Sequence, residues 1–150
     1  MSDKIAFIGV GNMGNPMAQN LLNSGKKITI FDVSKKIMEQ AKKQGLSTSD
    51  SINSLINDEV SIVITMLPEG KHSKEVYLGD NGIIKKVSKD CLLIDCSTID
   101  IETSKEIGQA ANNKGIMMID APVSGGVMGA QKATLNIMVG GSKEAFERAL

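Results

Sequence analysis

The chain has 150 residues, 17 basic and 17 acidic side chains, 41% hydrophobic residues and 3% aromatic ones. This length fits one domain that buries roughly 70% of the surface its unfolded chain exposes, so it needs no disulfide or metal staple. Zero net charge, three phenylalanines and one tyrosine argue against a nucleic-acid partner, which needs a basic excess and, for single strands, stacking aromatics.

In chain order, Lys4 to Val10 is nearly continuous in apolar residues and predicts a strand buried on both faces. A helix follows from about Asn12 to Ser24, stopped by Gly25, and Lys27 to Val33 reads as the second strand. Next come a lysine-rich helix from Ser34 to Gln44, an irregular link through Gly45 and Leu46, and a small helix near Ser51 to Asn57. Strand Val60 to Leu67 ends at Pro68, and a helix from about Glu69 to Tyr77 and a turn at Gly79 to Gly82 lead to strand Cys91 to Ser97. Helix Ile101 to Asn113, strand Ile116 to Val123, a Gly-rich segment, strand Leu135 to Val139 and a helix from Ser142 complete the series. No capping Gly or Pro stops that last helix before Leu150, which predicts that the sequence is cut from a longer one. The alternation predicts the α/β class, a doubly wound and mostly parallel sheet with helices on both faces.

Cys91 and Cys96 would stand about 16 Å apart on opposite faces of their strand, too far to bridge. Reduced thiols and a cytoplasmic setting are therefore expected. No apolar stretch approaches membrane-spanning length, and the N-terminus reads as a strand rather than a signal peptide.

The sharpest chemical feature is Gly9-Val10-Gly11-Asn12-Met13-Gly14, between the first strand and the first helix, with Asp32 at the end of the second strand. Strand, glycine turn, helix and a following acid together predict a dinucleotide site of Rossmann type. Gly9 permits the turn, Gly11 lets backbone approach a pyrophosphate, and Gly14 lets helix and strand pack closely, while the helix N-terminus attracts the phosphates. Asp32 would accept from the adenosine ribose and repel a 2′-phosphate, favouring NAD over NADP, with Lys35 and Lys36 partly offsetting that repulsion. The competing reading makes the glycines a plain βα turn and Asp32 a helix cap.

In an open parallel sheet, ligands lie beyond the carboxyl ends of the strands, so Met66, Leu67, Pro68, Ser97 and Thr98 fall on the cofactor side. Ser97 or Thr98 taken alone reads equally well as a helix cap. Ser124-Gly125-Gly126 ends another strand with a hydroxyl and two unencumbered N–H groups, a cradle for a carboxylate or simply a turn. His72, the single histidine, stands among Lys71, Lys74 and Glu75 and reads as a solvated surface residue. No spacing suggests a metal site or a nucleophilic triad.

With FIGVGNMGNPMAQNL, ITMLP, IDCSTID and DAPVSGGVMGAQKATLNIMVGG in order along essentially the whole chain, the sequence resembles the β-hydroxyacid dehydrogenases. The resemblance implies that residues 1–150 form the NAD-binding Rossmann-type domain. It further implies an all-helical C-terminal domain, absent from this chain, that supplies homo-oligomer contacts and, beyond Leu150, the proton-transferring lysine. By the same resemblance Gly9, Val10, Gly11, Asn12, Met13, Gly14, Asp32, Met66, Leu67, Pro68 and Thr98 bind NAD, and Ser124, Gly125 and Gly126 bind a small hydroxy-acid substrate. The implied reaction is NAD-dependent oxidation of a 3-hydroxy carboxylate, foremost 3-hydroxyisobutyrate to methylmalonate semialdehyde in valine breakdown. Reduction of tartronate semialdehyde or a related semialdehyde is the alternative within the family, and a non-catalytic dinucleotide-binding module the alternative outside it. One departure stands out: the signature commonly carries glycine where this chain has Ala133, a conservative change unless that position needs a positive φ.

Overall fold

The computed structural model describes residues 2–150. Its order is β1 (Lys4–Ile8), α1 (Gly14–Asn23), β2 (Lys27–Phe31), α2 (Lys35–Lys43), β3 (Ser47–Thr48), α3 (Ile52–Leu55), β4 (Ile62–Thr65) and α4 (Gly70–Leu78). A 3₁₀ turn (Ile83–Lys85) leads to β5 (Leu92–Asp95), α5 (Ile101–Asn113), β6 (Met117–Asp120), β7 (Val123–Ser124), α6 (Gly126–Lys132), β8 (Asn136–Ile137), β9 (Gly140–Gly141) and α7 (Lys143–Ala149). Seven strands form one sheet in the order β3-β2-β1-β4-β5-β6-β9. All its pairings are parallel except β6 with β9. The doubly wound α/β architecture is as expected.

Alternation along each strand divides the core between the two faces. Ile5, Phe7, Ile28, Ile30, Ile64 and Leu92 meet Ala18 of α1, Ala41 of α2 and Ala145 of α7 on one side. Ala6, Ile8, Val63 and Leu93 meet Tyr77 of α4 and Ile107 and Ala111 of α5 on the other. Cys96 belongs to the first cluster and Cys91 to the second, and both are buried and unbridged, as their odd spacing predicts. Among the described residues, no helix is long and apolar enough to cross a membrane.

The strands are shorter than their apolar runs. β1 stops at Ile8 and β2 at Phe31, leaving Gly9, Val10, Asp32 and Val33 to the turns where a ligand would approach. β3 was not foreseen, because Ser47 and Thr48 carry no apolar pattern. The segment read as Gly-rich contains a helix, α6. The single strand read at Leu135 to Val139 is two short pieces: β8 pairs with β7 in a separate ribbon, and β9 adds the antiparallel edge to the main sheet.

Candidate dinucleotide site

Two turns meet at the carboxyl ends of β1 and β2. Gly9 has φ +94°, a conformation that disfavours any side chain, and a Cβ there would collide with the Met66 carbonyl. A Cβ on Gly14 would strike the Gly9 carbonyl, so Gly14 is what lets α1 start directly behind the turn. Gly11 differs from both, since nothing lies within 4 Å of the place its Cβ would occupy. Its bareness serves no packing within the chain and faces open space. No side chain caps α1 and its first turn carries no acid, so the positive end of the helix dipole is uncompensated by the protein.

Asp32 is fastened into this arrangement. One carboxylate oxygen accepts the Val10 N–H at 3.0 Å and the other accepts the Ser34 N–H at 2.9 Å. Each oxygen keeps a further lone pair for an outside donor. Ser34, meanwhile, caps α2 by accepting from the Ile37 N–H at 3.3 Å.

Gly9, Gly11, Asn12, Met13, Gly14, Asp32, Met66, Leu67 and Pro68 line one groove of about 600 Å³, a volume usual for cofactor clefts. Val10 is in the turn, but its side chain is buried in the core and its N–H is spent on Asp32. Thr98, Ser124, Gly125 and Gly126 are exposed and lie outside this groove. Ser124 to Gly126 form the turn from β7 into α6, with Gly125 at φ +138° and Gly126 at φ +65°. Val127, the next residue, lines a second groove together with Val10, Gly11 and Asn12, so the glycine loop is shared by the two depressions.

Sequence reasoning missed the far wall. His72, Glu75 and Val76 of α4 line the groove together with Val33 and Ile52. Their i, i+3, i+4 spacing places the three on one helix face. His72 is exposed, as expected, but it belongs to the groove rather than to a featureless surface.

Behind the strand ends lies a buried polar chain. The Tyr77 hydroxyl and Thr65 Oγ1 are 2.6 Å apart, and Thr65 Oγ1 donates to Asp95 at 2.9 Å. Asp95 also accepts the Ser97 N–H at 3.0 Å, and Ser97 Oγ accepts the Leu67 N–H at 2.8 Å. Burial, then the neighbouring Asp95, push the Tyr77 phenol well above its usual range. Burial and Asp95 likewise raise Asp120, which stands beside Asp95 in the strand register. Among the described residues, no group of three or more His, Cys, Asp or Glu could hold a metal ion.

A parallel sheet with its open glycine, uncapped helix and carboxylate-locked turn at the strand ends is a dinucleotide-binding domain of Rossmann type. A family model described as the NAD binding domain of 6-phosphogluconate dehydrogenase matches residues 4–150. The chain is 47% identical over 145 residues to 3-hydroxyisobutyrate dehydrogenase of Pseudomonas aeruginosa, an alignment covering 97% of this chain and 48% of that protein. It is 40% identical to the NAD-dependent L-serine dehydrogenase of the same organism, with 97% and 49% covered. The solved structure of Mycobacterium tuberculosis 3-hydroxyisobutyrate dehydrogenase with L-serine superposes with a TM-score of 0.92 at 38% identity, covering 99% of this chain and 50% of that one. The chain thus belongs to the NAD-binding domains of the β-hydroxyacid dehydrogenase family, the family of the 3-hydroxyisobutyrate dehydrogenases, and it spans about half the length of the relatives it matches.

Proposed function

We propose that this chain supplies the cofactor-binding domain of an NAD-dependent dehydrogenase of small 3-hydroxy carboxylates, with 3-hydroxyisobutyrate as first substrate and methylmalonate semialdehyde as product. The observation that carries the reading is the Gly11 opening beside the uncapped start of α1, in the groove that Asp32 also lines. In this reading the glycine turn and the α1 N–H groups hold a pyrophosphate, and Asp32 accepts from the adenosine ribose. Met66, Leu67 and Pro68 flank the other half of the cofactor together with Thr98. Ser124, Gly125 and Gly126 take the substrate carboxylate. A bound nicotinamide supplies reversible hydride exchange, and the chain's own residues supply position and electrostatics. Similarity to an L-serine dehydrogenase makes L-serine the competing substrate, itself a 3-hydroxy carboxylate.

Calorimetric titration with NADH and NADPH tests the cofactor reading. A 2′-phosphate about 5 Å from the Asp32 carboxylate meets roughly 1–2 kcal/mol of repulsion even with full water screening, so NADH should bind about tenfold more tightly. Equal or better affinity for NADPH would refute the role given to Asp32. Comparison of kcat/KM for 3-hydroxyisobutyrate, L-serine and glycerate on the enzyme tests the substrate. Superior turnover of either competitor would overturn the choice of 3-hydroxyisobutyrate.

A further inference from the structure

Sheet order places the parts of a dinucleotide. With the glycine turn above β1 and Asp32 above β2, the half beyond the pyrophosphate falls on the opposite side of β1, over the ends of β4 and β5. Those two ends are joined from beneath by the Tyr77, Thr65, Asp95 and Ser97 chain. Thr65 is the last residue of β4 and immediately precedes Met66, Leu67 and Pro68, while Asp95 is the last residue of β5 and precedes Ser97 and Thr98. Tyr77 belongs to α4, the helix that turns His72, Glu75 and Val76 toward the groove. One hydrogen-bonded chain thus joins the β4 end and α4, which both line the groove, to the β5 end beside them.

The direction of its bonds follows from its chemistry. Thr65 Oγ1 spends its single proton on Asp95, so it must accept from the Tyr77 hydroxyl. Asp95 is 2% exposed, Thr65 and Tyr77 are fully buried, and a buried polar chain of this kind fixes one geometry because each broken link strands a group without a partner. A carboxylate is a costly way merely to fill a core, which an apolar residue does without desolvation. The Leu67 N–H donated to Ser97 Oγ ties the residues after β4 to those after β5.

We infer that Thr65, Asp95 and Tyr77 are positioning residues for the nicotinamide half of the dinucleotide, setting the β4 and β5 ends against which the reacting ring lies. This rests on the dinucleotide reading above, and it separates the two halves of the ligand: Asp32 and the glycine turn, which that reading gives to the adenosine and pyrophosphate, are joined to each other through the Val10 N–H, apart from the hydrogen bonds among Thr65, Asp95 and Tyr77.

The test is calorimetric titration of the 150-residue chain with NADH and with ADP-ribose, which lacks the nicotinamide. Thr65→Val keeps the volume and removes the hydroxyl. It should weaken NADH about tenfold, the order of one lost hydrogen bond, and leave ADP-ribose within about twofold. Thr65→Ser should restore NADH binding. Should Thr65→Val fail to fold, Tyr77→Phe carries the same comparison with a smaller shift in the same direction. Unchanged NADH affinity, or an equal loss for both ligands, would overturn the inference and reduce the chain to a general stabilising element. Failure of the unaltered chain to bind either ligand would instead refute the dinucleotide reading, and the inference with it.

Discussion

Gly11→Ala separates ligand binding from folding more cleanly than any other change in this groove. Nothing in the protein lies within 4 Å of the added methyl, and Gly11 has no left-handed φ to forfeit. Removing a glycine also narrows the unfolded ensemble, so stability should stay level or rise by up to about 1 kcal/mol, which is roughly 2–4 °C in Tm for a chain of this size. The methyl would, however, stand where backbone must approach the pyrophosphate. Loss of two charge-assisted N–H contacts at about 1.5 kcal/mol each gives about 3 kcal/mol, or roughly a hundredfold weaker NADH binding. Thermal melting and NADH fluorescence titration read the two quantities separately. An affinity within threefold of the original, or a drop in Tm, would refute the argument. Gly14→Ala is the contrast: its Cβ meets the Gly9 carbonyl, backbone cannot yield cheaply, and about 1–3 kcal/mol of stability should disappear along with binding.

Three further outcomes follow from individual residues. Ala133 caps α6 in the left-handed region at φ 55°, ψ 40°, so the position does favour glycine, and Ala133→Gly should stabilise the chain by about 0.5–1 kcal/mol in urea denaturation; a loss would show that the methyl packs usefully. Burial pushes the Cys96 thiol up to about 12, with Asp95 and Asp120 adding to the effect, and the Cys91 thiol up to about 11. Iodoacetamide at pH 8 should therefore label neither until the chain is denatured, and prompt labelling of the native protein would contradict the burial. Asp120 is raised above 3.8 by burial and then by Asp95. A raised carboxylate costs the folded state stability as pH climbs through its folded value, and the cost vanishes below its unfolded one. Asp120→Asn should consequently be at least as stable as the parent at pH 7 and lose its advantage as pH falls toward 3.8; an advantage that grows on acidification would reverse the sign.

The parallel strands and most helices were legible because burial on both faces writes itself as unbroken apolar runs, as in Ile5 to Ile8 and Ile62 to Ile64. The C-terminal third resisted for a different reason. The stretch between Val123 and Leu135 read only as a Gly-rich segment, yet Gly129 lies within α6, and a Cβ there would come within 3.1 Å of Leu135 Cδ2. That glycine serves close packing of a helix, a use that leaves no local trace. The single strand expected from Leu135 onward divides because Met138 N–H bonds to the Pro122 carbonyl while Gly140 and Gly141 turn to β6. Partner choice of that sort depends on residues far away in sequence. The Thr65 to Asp95 bond, spanning 30 positions, was illegible on the same ground, whereas the glycine turn and Asp32 could be read because their spacing is local chemistry.

Asp32 shows why two readings that compete in a sequence need not compete in a fold. As a plain cap it would bind the start of α2, and as a ribose acceptor it would face the groove. The structure gives the cap to Ser34 and gives Asp32 a different local duty, since its two oxygens hold Val10 N–H and Ser34 N–H and so join the β1 turn to the β2 turn. That tether is also what would make the second duty effective. A carboxylate already immobilised by two backbone donors loses little side-chain entropy when it accepts from a ligand, and its charge is held at the groove instead of swinging into water. On the proposed reading, a neutral chain would discriminate between dinucleotides without any net field, by fixing one carboxylate beside the place where a ribose would carry its 2′ substituent.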